Sequence, residues 1–190
     1  MQAHRLAERL AARGVPALAA REPGGTPVGE GVRAIVLHPP ADAPIDPLAE
    51  LLLFEAARAQ LVAAVIRPAL ERHAVVVCDR FADSSLAYQG YGRGLDLSLI
   101  ERLNGVATGG LRPDLTLLLD APVEVGLARR RSDGALNSLD GQDLAFHERV
   151  RQGYLALART EPGRWRVIDA ARPIDEVAEA VWSAVREWLG

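Results

Sequence analysis

The segment HAVVVCDRFADSSLAYQG, residues 73–90, carries the clearest fold signal in this sequence. Its first part, residues 74–78, is a continuous apolar run that ends at Asp79 and Arg80. An apolar run of this length, closed by polar residues, is typical of a strand that is buried on both faces of a parallel sheet. The segment therefore predicts a buried strand whose carboxyl end carries a carboxylate and a guanidinium.

The same pattern recurs on both sides of this segment. Residues 115–119 end at Asp120, residues 167–168 end at Asp169, and residues 15–20 run into REPGG at 21–25. Helical spacing is found before Gly14 and at residues 29–37, 48–72, 96–106, 123–131, 143–159 and 174–189, with Pro68 expected to bend the helix at 48–72. Strands that alternate with helices indicate an α/β fold, in which helices cover a parallel sheet.

Composition limits the classes of protein that the chain could represent. Its 190 residues, 49% of them hydrophobic, predict a single domain over residues 1–190. The net charge of -3 argues against a nucleic-acid binder. All 22 basic residues are arginine, so no mechanism that needs a lysine of this chain is open to it.

The sequence also predicts a cytoplasmic protein without a membrane partner. Cys78 is the single cysteine, so an internal disulfide is excluded. The four histidines are scattered and build no metal site with it. The start, MQAHRLAERLAARG, lacks the apolar core of a signal peptide, and no stretch has the length and apolarity of a membrane span.

Ligands of open α/β sheets bind at the carboxyl ends of the strands, which points to residues 21–25 and to the pair Asp79 and Arg80. A carboxylate in such a place can hold hydrated Mg²⁺, and an arginine can grip a phosphate with two hydrogen bonds. A salt bridge between Asp79 and Arg80 that closes the strand is an equal alternative at this point.

Two pairs of residues have the spacing of one helix face. Phe54 and Arg58 could stack on a flat base and hydrogen-bond its edge, although a core phenylalanine beside a solvated arginine is the ordinary alternative. Ser85 and Gln89, with Tyr88 between them, could also read a base edge, and a solvated helix face is the alternative there.

A third candidate is the run Arg129-Arg130-Arg131, which precedes a polar stretch that extends to Gln142. Arginines at the end of a helix stabilise its C-terminus. An arginine-bearing loop is also what phosphoryl transfer requires, because that reaction depends on positioning and charge neutralisation. Residues 129–142 are therefore either a helix end with its following loop or a lid.

Taken in order, these features resemble bacterial thymidylate kinases, and the resemblance covers essentially the whole chain. It rests on these segments: REPGGTPVGEGVR at 21–33, LLLFEAARAQ at 51–60, VIRPALERHAVVVCDRFADSSLAYQGYGRGL at 65–95, ATGGLRPDLTLLLD at 107–120 and DLAFHERVRQGYL at 143–155. The resemblance implies a P-loop NTPase-like nucleoside monophosphate kinase fold, a parallel sheet flanked by helices, and usually a homodimer. It implies transfer of a phosphoryl group from ATP to dTMP with Mg²⁺, giving dTDP for dTTP biosynthesis.

The resemblance also implies a role for each matching position. Phe54 would stack on the thymine, with Arg58, Ser85 and Gln89 hydrogen-bonding the base and Tyr88 and Pro23 lining the pocket near the sugar. Arg80 and Arg33 would hold the dTMP phosphate, Asp79 would lie near Mg²⁺, and Arg129 and Arg131 would be lid arginines that close over the ATP phosphates.

The chain departs from the family pattern in two places. The family opens with a strand and the loop G-x-x-x-x-G-K-[ST], whose amides cradle phosphates, and this segment is expected to be missing here. Its strand would be the central one of five, so its loss is expected to expose two strand edges. In the lid, Asp133 and Asn137-Ser138 replace an arginine and an Asp-Arg pair. Two hypotheses follow: a kinase whose phosphate loop is not in this sequence, or a degenerate, non-catalytic protein that retains the dTMP pocket.

Overall fold

The computed structural model of the chain describes residues 1–40, 43–132, 134 and 137–189. The strands are β1 (Ala17–Arg21), β2 (Val75–Asp79), β3 (Thr116–Asp120) and β4 (Trp165–Asp169). The α-helices are α1 (Gln2–Ala11), α2 (Pro27–Leu37), α3 (Pro47–Leu61), α4 (Arg67–Glu71), α5 (Ala82–Ser85), α6 (Leu97–Thr108), α7 (Val123–Ser132), α8 (Leu144–Thr160) and α9 (Ile174–Leu189). The predicted alternation of strands and helices is confirmed, with ends shifted by a few residues.

The strands form two parallel pairs. β1 pairs with β2, so that Arg21 lies opposite Asp79, and β3 pairs with β4, so that Asp120 lies opposite Asp169. Each pair is a separate two-stranded sheet in the part of the chain that the structure describes. The polar residues that close the strands therefore lie at the same ends of their pairs, as predicted from the sequence.

Both pairs rest on one hydrophobic cluster, to which α1, β4 and α9 contribute Leu6, Leu10, Ile168, Val177, Val181, Trp182 and Val185. Val75 and Val77 of β2 pack against this cluster, and so does Leu117 of β3. These strand residues are only half-buried, so the prediction of full burial on both faces was wrong. The reason is that β2 has a described partner strand on one edge alone, and so has β3. Trp188 lies on the same helical stripe of α9 as Val177, Val181 and Val185, but it is exposed.

The helix predicted at 48–72 contains a π-helical turn, Val62–Ile66, between α3 and α4. Pro68 follows this turn and lacks the N–H that would continue the α-helical hydrogen bonds, which accounts for a wider turn one step before it. A second π-helical segment, Leu86–Gly92, continues α5. None of the helices in the described ranges is long and apolar enough to cross a membrane.

Candidate functional site

The loop after β1 is a tight turn held by one carboxylate. Gly24 has φ 139° and Gly25 has φ 76°, values that favour glycine. Glu30 accepts hydrogen bonds from the Gly25 amide at 2.9 Å and from the Arg21 guanidinium at 2.9 Å. The Arg21 hydrogen bond lowers the pKa of Glu30, so its carboxylate stays charged. This loop brings Pro23 to the carboxyl ends of β1 and β2.

Positive charge is concentrated beside this loop. The Arg33 side chain donates from Nη1 to the Pro23 carbonyl oxygen at 2.9 Å. Burial lowers the pKa of Arg33, and the nearby guanidiniums of Arg21, Arg130 and Arg80 lower it further. An anion placed between guanidiniums that repel one another stabilises their charged forms, so this part of the site suits a phosphate group.

Arg80 is held in an unusual backbone conformation at the end of β2. Its φ is 67°, in the left-handed region that non-glycine residues seldom adopt. The side chain is directed to Tyr88, with Nη2 3.1 Å from the hydroxyl oxygen and the guanidinium 4.8 Å from the ring centroid. The alternative of a salt bridge to Asp79 is therefore wrong. A strained residue at the end of a strand is typical of a functional site.

Asp79 is exposed at the same strand end. Within the described ranges, no group of three acidic, histidine or cysteine side chains could hold a metal ion by itself. Mg²⁺ is commonly held by one or two carboxylates together with water and substrate phosphates. A single exposed carboxylate beside a cluster of arginines that suits a phosphate group therefore fits that ion.

Next to this charged edge, two helical stripes face each other. One lies on α3 and carries Glu50, Phe54 and Arg58. The other runs from α5 through the second π-helical segment to the residue that follows it, and carries Ser85, Gln89 and Arg93. Arg58 Nη2 donates to Ser85 Oγ at 3.1 Å, and Gln89 Nε2 donates to Glu50 Oε1 at 2.8 Å. Phe54 lies one helical turn from each of these contacts. The stripes thus place a half-buried aromatic ring, which packs against Val32, Val36 and Ala57, between two pairs of hydrogen-bonding groups, and we refer to this region as the slot.

The Arg58 guanidinium is the most deeply buried charge at the site, with 1% of the side chain exposed. Its Nε donates to Glu22 at 2.9 Å, and its Nη1 donates to Glu55 at 2.5 Å and to Asn104 at 2.8 Å. The solvated-arginine alternative for this position is therefore wrong, and so is the solvated face for Ser85 and Gln89, each 2% exposed.

Two carboxylates surround this one guanidinium. Burial raises the pKa of Glu22 to about 7, although the charge of Arg58 opposes the shift. Oε1 of Glu22 and Oε2 of Glu55 have no hydrogen-bond partner among the described residues. A carboxylate that is buried with an unpartnered oxygen takes up a proton more readily than a solvated one.

This arrangement predicts a pH-dependent stability. A raised pKa in the folded state means that the protonated Glu22 contributes stability that is fully present below pH 4.5, its ordinary pKa, and is lost as the pH rises through about 7. As the pH rises through that window, we expect the free energy of unfolding of wild type to fall by up to about 3 kcal/mol relative to that of Glu22→Gln. Urea unfolding at pH 4.5, 6 and 8 measures the difference, with the exposed Glu71→Gln as the control. A gap between wild type and Glu22→Gln that does not change with pH would contradict the prediction.

The segment predicted as a lid makes several contacts. Arg129 lies in the last turn of α7 and donates to the carbonyl oxygens of Ala170 at 2.5 Å and of Ala171 at 3.0 Å, so it also binds the loop after β4. Arg131 lines an open cavity of about 400 Å³ together with Leu127 and Gln142.

Further along the same segment, Ser138 forms hydrogen bonds to α2. Its amide donates to the Leu37 carbonyl oxygen at 3.0 Å, and its Oγ donates to that of Val36 at 2.8 Å. Asn137 accepts from the amide of Leu139 at 2.9 Å. Ser138 thus holds the segment against α2 and Asn137 closes a local turn within it, whereas Asp133 lies outside the described residues.

Some functional candidates were missed from the sequence. These are Glu22, Glu50, Glu55, Arg93 and Asn104. Glu50 extends the spacing of Phe54 and Arg58 by one turn. Arg93 does the same for Ser85 and Gln89. This spacing could have identified both residues from the sequence. Glu22 and Asn104 meet Arg58 only through the fold, and no spacing points to them.

Comparisons with known proteins agree along nearly the whole chain. Residues 1–181 match the family model described as thymidylate kinase. The chain is 53% identical over 186 residues to the thymidylate kinase of Deinococcus radiodurans, covering 98% of this chain and 89% of that protein. It is 52% identical over 187 residues to that of Syntrophotalea carbinolica, covering 95% and 86%.

A solved structure gives the same result for the fold. The crystal structure of thymidylate kinase from Ehrlichia chaffeensis superimposes with a TM-score of 0.78 at 35% identity, covering 97% of this chain and 90% of that one. The α/β fold of the nucleoside monophosphate kinases, with parallel strands flanked by helices, is thereby confirmed. These similarities favour the kinase and give no support to the degenerate, non-catalytic alternative. The chain belongs to the thymidylate kinase family.

Proposed function

We propose that this chain binds dTMP in the slot between the two stripes and phosphorylates it with ATP to give dTDP, a step toward dTTP. The observation that carries this proposal is the position of Phe54, one helical turn from the Arg58–Ser85 contact and one turn from the Gln89–Glu50 contact. A flat pyrimidine that stacks on the ring would meet polar groups at both edges.

The phosphate of dTMP would lie against Arg80 and Arg33, with Tyr88 and Pro23 near the sugar. Arg80 is exposed, and within the described part of the chain its guanidinium donates a hydrogen bond to Tyr88 alone, which a stronger anionic acceptor can replace. Because the accepting phosphate oxygen already carries negative charge, the transfer needs positioning and charge neutralisation more than a general base.

Asp79 would hold Mg²⁺, which supplies charge neutralisation at the ATP phosphates when bound. Arg129 and Arg131 would act from residues 129–142, the proposed lid. Arg131 lines an open cavity, and Arg129 would have to leave the carbonyl oxygens that follow β4 to reach ATP. Arg129 is exposed, which makes that exchange feasible.

We also propose that the active protein has a fifth, central strand between β2 and β3, followed by the phosphate-binding loop. This proposal is supported by the two separate strand pairs, by their common packing on α1 and α9, and by the half-buried valines of β2. A strand in that place would pair with both free edges and cover these apolar side chains.

A homodimer in the cytoplasm is the assembly that we propose. Apolar side chains of neighbouring helices are exposed, with Leu48 at 43%, Leu52 at 48% and Val106 at 81%. Exposed apolar side chains of this size on α3 and α6 are typical of a surface that a second copy covers.

The proposal is tested by a kinase assay on two proteins, the 190-residue chain and the chain extended by the in-frame codons upstream of Met1. Each is supplied with ATP, Mg²⁺ and one of dTMP, dUMP, dCMP or AMP. We expect the extended protein to form dTDP and to prefer dTMP over the other three acceptors.

Formation of another diphosphate in preference to dTDP would contradict the proposed substrate. A stop codon directly upstream of Met1 would contradict the fifth strand but not the dTMP site. Binding of dTMP to the 190-residue chain, measured by calorimetry, separates these two outcomes because it does not require the phosphate loop.

A further inference from the structure

Gln89 is a proposed base reader, but its amide could present either an acceptor or a donor to the base. The orientation is decided by its partner. Nε2 of Gln89 lies 2.8 Å from Glu50 Oε1, and an ionised carboxylate can only accept a hydrogen bond. The NH₂ end of the amide must therefore be on the Glu50 side, which leaves Oε1, an acceptor, as the other end.

Glu50 itself is fixed. Its side chain is 5% exposed, and Arg93 donates to both carboxylate oxygens, from Nη2 at 3.0 Å and from Nε at 3.4 Å. Arg93 is held in turn by Gln142 Oε1 at 3.0 Å and by the ring of Phe146, whose centroid is 5.1 Å away. The carboxylate of Glu50 therefore has little freedom to rotate, and the orientation of Gln89 follows from it.

We propose that Glu50, held by Arg93, determines pyrimidine specificity by locking the Gln89 amide with its oxygen toward the base. This inference rests on the proposed function of the slot. Thymine and uracil carry a hydrogen-bond donor at N3, which a fixed acceptor binds. Cytosine carries an acceptor at N3, so the same oxygen faces a lone pair and the polar contact is lost. Glu50 acts through Gln89 and is a positioning residue.

Substitution of Glu50 by glutamine should reverse the hydrogen-bonding pattern that Gln89 presents to the base. Arg93 has only donors, so it would hold the oxygen of the new side chain and turn its NH₂ group toward Gln89. Gln89 would then accept through Oε1 and present Nε2, a donor, to the base. Glu50→Gln should accordingly favour cytosine over thymine relative to wild type.

The test is calorimetric binding of dTMP, dUMP and dCMP to the 190-residue chain and to its variants. For Glu50→Gln we expect the ratio of dTMP to dCMP affinity to fall by about tenfold or more. The ratio of dTMP to dUMP should stay unchanged, because the two bases share the same N3 donor. Damage to the fold would weaken all three ligands alike and would not separate the two ratios.

Two further variants test whether the effect comes from the hydrogen-bonding group at position 50. Glu50→Asp retains an acceptor-only side chain and should keep the wild-type ratio of dTMP to dCMP even if affinity falls. Glu71→Gln, the exposed control, should change nothing. An unchanged dTMP to dCMP ratio in Glu50→Gln would overturn the role of Glu50, whereas no binding of dTMP to wild type, in both the 190-residue form and the form extended upstream of Met1, would overturn the proposed function itself.

Discussion

Arg80→Ala should lower kcat/KM for dTMP by about 10²–10³-fold in the active protein, since it removes the guanidinium that we place on the dTMP phosphate. The loss is expected in both kcat and KM, because the same contact binds the ground state and neutralises charge during transfer. The structure makes this the largest functional effect, since Arg80 is exposed and its side chain has no described hydrogen-bond acceptor besides Tyr88.

Stability serves as the control for this substitution. Arg80 contributes one exposed hydrogen bond and one stacking contact with Tyr88, so Arg80→Ala should change the free energy of unfolding by no more than about 1 kcal/mol. Arg80→Lys keeps the charge but not the paired N–H groups and should recover part of the activity. Arg72→Ala, at an exposed position in the turn before β2, is the matched control. Near-normal kinetics in Arg80→Ala would remove Arg80 from the phosphate site.

The strands and their polar ends could be predicted from the sequence because the signal is local. A run such as residues 74–78 has few alternatives to a buried strand, and the following Asp79 and Arg80 then share a sheet edge with Arg21 by topology. The degree of burial could not be predicted in this way. Whether a valine of β2 is covered depends on the neighbouring strand, which is a property of the whole sheet.

Hydrogen-bond partners from distant parts of the chain also could not be predicted from the sequence. Spacing put Phe54 and Arg58 on one face, but it did not distinguish a solvated arginine from a buried one. That difference arises from Glu22, 36 residues earlier, and from Asn104, 46 residues later, which both accept hydrogen bonds from Arg58. Neither residue is part of the helical spacing around Arg58. Amphipathic spacing identifies a face, whereas the charges that make burial of an arginine tolerable are set by the fold.

Arg58→Met should destabilise the protein by about 3–5 kcal/mol, the largest effect on stability that we expect. The methionine fills a similar volume, but Glu22 and Glu55 then remain buried without a cation, each with 7% or less of its side chain exposed. Urea unfolding near neutral pH measures the loss. Arg159→Met, on the exposed part of α8, is the matched control and should lie within about 0.5 kcal/mol of wild type.

The cause of this loss can be separated from simple packing. If it comes from uncompensated carboxylates, the triple variant with Glu22→Gln, Glu55→Gln and Arg58→Met should recover most of the stability, because the charges are then removed together. A cavity or a distorted helix would leave the triple variant as unstable as the single one. Neither variant should bind dTMP tightly, since both lack the guanidinium that contacts Ser85 at the edge of the slot. Recovered folding without recovered binding would show that Arg58 is retained for the base and not for stability, whereas tight binding by the triple variant would contradict its role in the site.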